Sequence, residues 1–131
     1  MNINRICGRH NFGMAYWFEP TRQLIFDAKA DSKDKAEKKY IRNLVQGMEY
    51  YCPDEEVYSF TRAPGFFQKL FKRGDLNTYE EVYLDDKLAG KIKLPDANIR
   101  PLDRLKAIHQ VLEETEEKRF NENEFYLDIK S

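Results

Sequence analysis

Asp27 and Lys29 lie in "QLIFDAKAD" (23–31), an acid and a lysine one residue apart after an apolar run, Leu24-Ile25-Phe26. At the end of a strand, such an acid can hold a divalent metal, and the lysine can position or activate a water. A second set lies in "TRAPGFFQKLFKRG" (61–74). There Arg62, Lys69, Lys72 and Arg73 accompany Phe66, Phe67 and Phe71, with no acid between Thr61 and Gly74. Cations among rings can hold phosphates while bases stack, or dock an acidic protein through aromatic anchors. The plainer alternative makes the rings core and the cations their solvated rim. A third set is acidic: Glu113, Glu114, Glu116 and Glu117, with Glu122 and Glu124 beyond. Such a surface suits a protein partner with a basic groove.

The remaining reactive residues form no catalytic set. Cys7 and His10 are three apart in a segment that reads as extended, so their side chains face opposite ways. His109 borders an apolar helix face and reads as structural. GxSxG, Gly-rich phosphate-loop, HExxH and paired CxxC motifs are absent. The sequence calls for no cofactor and no metal.

Length and composition bound the rest. A chain of 131 residues suits a single domain, 1–131, whose core needs no disulfide or metal. Net charge is -1, so a phosphate-binding surface has to be a local patch. No apolar run approaches a membrane span, and "MNINRICGRHNFG" has no signal-peptide core. The expectation is a soluble, cytoplasmic protein with no membrane contact. Cys7 and Cys52 then read as reduced, buried thiols.

The elements that position these groups follow from pattern. "MAYWF" and "QLIFDA", joined by "EPTR", predict a β-hairpin over residues 13–29. Ser32 or Asp34 caps a helix whose face is Ala36, Tyr40, Ile41, Leu44, Val45, Met48 and Tyr51. Pro53 stops it, and "EVYSF" (56–60) reads as a strand. Phe66, Phe67, Leu70 and Phe71 make one face of a short helix or turn. "TYEEVYL" (78–84), "DDKLAG" and "KIKL" (91–94) read as a strand, a turn and its partner. Pro101 opens a second main helix with Leu102, Leu105, Ile108 and Leu112 on its face. "FNEN" ends it, and "EFYLDI" (124–129) reads as a last strand. The order is ββαβ in residues 13–60 and again in residues 78–129, which suggests a pseudo-repeat.

Asp27, Ala28 and Lys29, with a hairpin before and a helix after, resemble the PD-(D/E)xK nuclease family. The resemblance spans about residues 12 to 50 and rests on D-x-K alone. It implies a second acid on the neighbouring strand, the two acids sharing a metal. In the predicted hairpin Phe18 pairs with Gln23, which sets Asp27 opposite Met14. Residues 11–15 are Asn-Phe-Gly-Met-Ala, with no acid. Glu19 lies five residues off, roughly 16 Å at ~3.3 Å per residue, too far to share a metal. The first carboxylate is missing unless another strand brings one.

The sequence therefore predicts an α+β domain, with two main helices on a largely antiparallel sheet. Its predicted function is that of a small non-enzymatic binding or inhibitory module working through protein contacts. The contact residues are Arg62, Phe66, Phe67, Lys69, Phe71, Lys72 and Arg73, with Glu113, Glu114, Glu116 and Glu117. The alternatives are a nucleic-acid-binding module using residues 62–73 and a divergent metal nuclease using Asp27 and Lys29.

Overall fold

The computed structural model describes the backbone of residues 17–130 and the side chains of residues 17–122. In chain order the elements are α1 (Glu19–Ala30), α2 (Lys35–Met48), β1 (Val57–Arg62), α3 (Phe66–Phe71), β2 (Tyr79–Leu84), β3 (Lys87–Lys93) and α4 (Pro101–Lys130). The class is α+β: one antiparallel sheet in the order β1-β2-β3, with four helices among the described residues. α1, α2 and α4 pack together, and α1 and α4 also pack on one face of the sheet. A single buried cluster joins them: Leu24 and Ile25 of α1, Ile41 and Met48 of α2, Val57 and Val82 of the sheet, and Leu105, Ile108 and Leu112 of α4.

The predicted hairpin over 13–29 is not there. Residues 19–30 form α1, and residues 13–16 lie outside the described residues. Thr21, Leu24, Ile25 and Ala28 are its buried side, at i, i+3, i+4 and i+7, which is helical spacing. The β-propensity of Leu-Ile-Phe concealed that spacing. Pro20 sits in the first helical turn, where its fixed φ and missing N–H cost nothing, so "EPTR" starts a helix instead of turning a hairpin.

α2 begins where expected, with Asp34 Oδ1 accepting from the Glu37 amide at 2.9 Å. Its buried side is Ile41, Leu44 and Met48, while Ala36 and Tyr40 are exposed. β2 and β3 form a hairpin whose two turn residues, Asp85 and Asp86, both take positive φ (50° and 68°), as a tight right-twisted turn requires. The Asp85 carboxylate also accepts from the Glu56 amide at 2.9 Å. β3 begins at Lys87, earlier than predicted, and is an edge of the sheet. Gly90 faces α4: a Cβ there would lie 3.2 Å from Val111 Cγ1.

α4 starts at Pro101, and the Asp103 carboxylate accepts from the Arg100 amide at 2.9 Å. It runs 30 residues, about 45 Å at 1.5 Å per residue. The predicted break at "FNEN" and strand at 124–129 are both replaced by helix. Asparagine is a mediocre helix former but no breaker, and no Gly or Pro stands between Leu102 and Lys130. With the first hairpin and last strand gone, the ββαβ order and its repeat are not what the chain forms.

The inner side of the sheet carries an ionic node. Glu80 is fully buried. It accepts from Arg104 Nε at 2.8 Å and Nη2 at 2.9 Å, from Thr61 Oγ1 at 2.8 Å, and from Ser59 Oγ. Thr21 Oγ1, on α1, accepts from the Ser59 amide at 3.0 Å. The pair thus ties α4 to β2, and the neighbouring hydroxyls tie β1 to both layers. Removing one partner of a buried pair strands the other charge without solvent, which costs about 3–5 kcal/mol. Arg104→Met should lower unfolding free energy by that amount in urea titration; a loss under ~1 kcal/mol would mean Glu80 finds another partner.

A second ionic contact closes the α1–α2 loop onto the start of α4. Arg100 donates to Asp31 Oδ2 at 2.8 Å and to both Glu37 oxygens. The Arg100 hydrogen bond holds the Glu37 carboxyl down at about 2, below its ordinary 4.5. A lowered folded-state pKa stabilises above the unfolded value and loses that contribution as pH falls. The stability difference between the native chain and Glu37→Gln should be full above pH 4.5 and shrink towards pH 2. A difference independent of pH across that window, in urea titrations, would contradict the assignment.

Candidate functional site

α3 interrupts the connection between β1 and β2. Gln68 Oε1 accepts from the Gly65 amide at 2.9 Å and starts the helix. Lys72, at φ 51°, and Gly74, at φ 71°, end it. None of its six residues is buried. Phe66, Phe67, Leu70 and Phe71 are 72%, 69%, 58% and 62% exposed, so the reading of these rings as core fails. The rings touch one another instead: Phe67 and Phe71 are near-parallel with centroids 6.3 Å apart, and Phe66 meets Phe67 edge-on at 5.4 Å. Full burial of such a side chain is worth about 1.5–3 kcal/mol, and each of these four leaves more than half of its surface in solvent. Lys69, Lys72 and Arg73 are exposed and make no ion pair with any described residue.

The outer face of the sheet continues this surface. Register and strand alternation place nine side chains there in three rows across the strands: Tyr58–Tyr83–Leu88, Phe60–Glu81–Lys91 and Arg62–Tyr79–Lys93. The rings of Tyr58, Phe60 and Tyr83 lie 5.6–6.1 Å apart, and Phe60 and Tyr83 are within 9° of parallel. Phe18 meets Tyr58 edge-on at 5.2 Å. Arg62 lies 5.0 Å over the Phe60 ring and Lys91 lies 4.6 Å over Tyr79. Glu81 sits low between them, accepting from Arg62 Nε at 2.7 Å and Tyr83 Oη at 3.0 Å. Burial raises the pKa of its carboxyl, but the bonds from Arg62 and Tyr83 outweigh this and hold it below the ordinary range. A depression of about 190 Å³, lined by Arg62, Gln68, Tyr79 and Lys91 among others, joins this face to α3.

The sequence reading missed this face. Its signal is the alternation in "VYSFTR" and "YEEVYL": small or polar residues alternate with rings, and the ionic node draws the polar set inward. Ordinary patterning would put the rings in the core.

Asp27 and Lys29 are exposed on α1. Two residues apart on a helix they point about 200° away from each other, so the strand end that the nuclease resemblance requires is missing. Among the described residues no three Asp, Glu, His or Cys side chains gather where they could hold a metal ion. The acidic run on α4 is partly tied down. Glu113 accepts from Tyr51 Oη at 3.3 Å, Glu114 from Gln110 at 3.2 Å, and Glu116 from the Cys52 thiol at 3.8 Å. Glu117 lines a shallow depression of about 580 Å³ with Glu114, Lys118, Asn121 and Glu122. His109 is half-buried, edge-on to Tyr51 at 5.5 Å. Cys7 and His10 lie outside the described residues.

The chain matches no protein-family model, no curated protein and no solved structure. No described helix is long and apolar enough to cross a membrane.

Cys52 is a free, buried thiol whose pKa burial pushes up to about 12. The thiolate is the reactive form. In a Cys7→Ser chain, Cys52 should therefore react with a disulfide reagent only as fast as the chain opens. Rapid labelling of the native protein at pH 8 would show an open path to its sulfur.

Proposed function

We propose that this protein is a small binding module that docks an acidic protein partner through α3. The observation that carries the reading is a helix of four large apolar side chains, none buried, rimmed by Arg62, Lys69, Lys72 and Arg73. Phe66, Phe67 and Phe71 supply aromatic anchors of the type that dominate interface energetics. The cations supply complementarity to an acidic surface and faster encounter. Glu113, Glu114, Glu116 and Glu117 form a second, weaker surface, since three of the four already accept hydrogen bonds within the fold. The reading is non-enzymatic and places the protein in the cytoplasm, where a reduced Cys52 is stable.

Because these side chains are exposed, their loss should leave stability within ~0.5 kcal/mol, which separates a binding defect from misfolding. Affinity capture from the native host is expected to recover an acidic partner. Phe67→Ser/Phe71→Ser should weaken its measured affinity by about thirtyfold or more, the loss of a hot spot, and Lys69→Glu/Lys72→Glu/Arg73→Glu should slow association. Undiminished capture by both variants would refute the assignment. So would binding to anionic lipid vesicles that these substitutions abolish, with no protein captured.

A further inference from the structure

We propose that the outer face of the sheet binds single-stranded nucleic acid, about two or three nucleotides at a time. Tyr58, Phe60 and Tyr83 stack on bases, and Arg62, Lys91 and Lys93 hold phosphates. This site adjoins the α3 surface and shares Arg62 with it, but its rings, Lys91 and Lys93 belong to the sheet, and it does not rest on the docking role of α3.

The rings come first. Tyr58 and Tyr83 are register partners on adjacent strands, and Phe60 is two residues along on the same face as Tyr58. A base laid on the near-parallel Phe60–Tyr83 pair extends the stack already present. Base–aromatic stacking is indifferent to sequence because every base has a π-face. The packing of α1 and α4 uses the inner side: Thr21 meets Ser59 there, and Val111 faces Gly90. The rings are therefore not the contact surface of either helix.

Charge selects the occupant. The three cations stand in the two rows at one end of the face; Arg62 reaches over Phe60 and Lys91 over Tyr79, so a base that stacks on Phe60 has to move the Arg62 guanidinium aside, towards a phosphate. The face holds one carboxylate, Glu81, which Arg62 pairs and Tyr83 hydrogen-bonds. The chain as a whole carries -1, so a local cationic row of this kind is what phosphate binding requires here. A second copy of the chain would bring Arg62, Lys91 and Lys93 against like charges, which opposes self-association. A duplex hides its base faces inside the stack and offers the rings nothing to pair with.

The test is fluorescence anisotropy with labelled oligo-dT and oligo-U of about 12 nucleotides and a duplex of equal length. Both single strands should bind better than the duplex; a preference between them identifies DNA or RNA as the source. Affinity should fall with salt with a log–log slope of about 2, for three phosphates on a single strand. Phe60→Leu and Tyr83→Leu should each weaken binding about tenfold. Lys91→Glu/Lys93→Glu, at exposed positions, should weaken it further and flatten the slope, with the circular dichroism spectrum unchanged. Phe67→Ser/Phe71→Ser should leave oligonucleotide affinity as it was. The proposal is overturned by no single-strand binding at about 50 mM salt, by equal affinity for duplex, or by affinity that ignores the ring and lysine variants. It is also overturned if only the α3 variant loses binding, or if the face mediates a dimer that Lys91→Glu/Lys93→Glu dissolves.

Discussion

The contact between Glu80 and Arg104 decides which way the sheet faces. A strand's side chains alternate, so a slip of one residue turns every one of them over. Glu80 is fully buried, and its carboxylate is satisfied there by Arg104 and the hydroxyls of Ser59 and Thr61. That arrangement fixes β2 with Glu80, Val82 and Leu84 inward. Tyr79, Glu81 and Tyr83 must then point out, and pairing with β1 sends Tyr58, Phe60 and Arg62 out with them. The outward direction of these rings follows from where one buried charge has to be.

The same contact explains what could be read from the sequence. Strands β1 and β2, the later half of β3, a cap at Ser32 or Asp34, the Pro101 start and the Leu102–Leu112 stripe are legible because each is a local signal: alternation, a capping side chain, helical spacing; residues 87–90 of β3 read as turn because "DDKLAG" carries turn residues at both ends. α1 was legible in principle from Thr21, Leu24, Ile25 and Ala28, but Leu-Ile-Phe carries a competing strand preference, and Pro20 serves turns and helix starts equally well. The last ten residues of α4 carry two asparagines, which read as a breaker by pattern but only weaken a helix. The alternation in β1 and β2 shows locally which side chains share a face, but not which of the two faces points outward. That depends on a salt bridge between residues 24 positions apart, and nothing in either strand announces that Arg104 will reach it.

The candidate surfaces divide along the same plane. Helices α1 and α4 cover the inner side of the sheet, and the acidic run lies on α4. The outer side and α3 carry the rings and most of the unpaired cations named above. A net charge of -1 thus conceals two faces of different character. Asp27 and Lys29, which look like chemistry when read along the chain, end on diverging sides of α1, whereas Tyr58 and Tyr83 stand side by side on the outer face, Tyr58 exposed and Tyr83 half-buried.

The edge position of β3 has a consequence for the life of the protein in a crowded solution. An edge strand offers its free amides and carbonyls to any passing strand, and this is where ordered aggregation begins. β3 carries Lys87, Lys91 and Lys93 along seven residues. A second chain adding there would have to bring its own lysines alongside these, against the repulsion of like charges. The strand is in this way guarded against its own copies. Acetylation or a run of neutral substitutions at these three lysines would remove the guard, and the cell would meet the result as insoluble protein before any loss of fold.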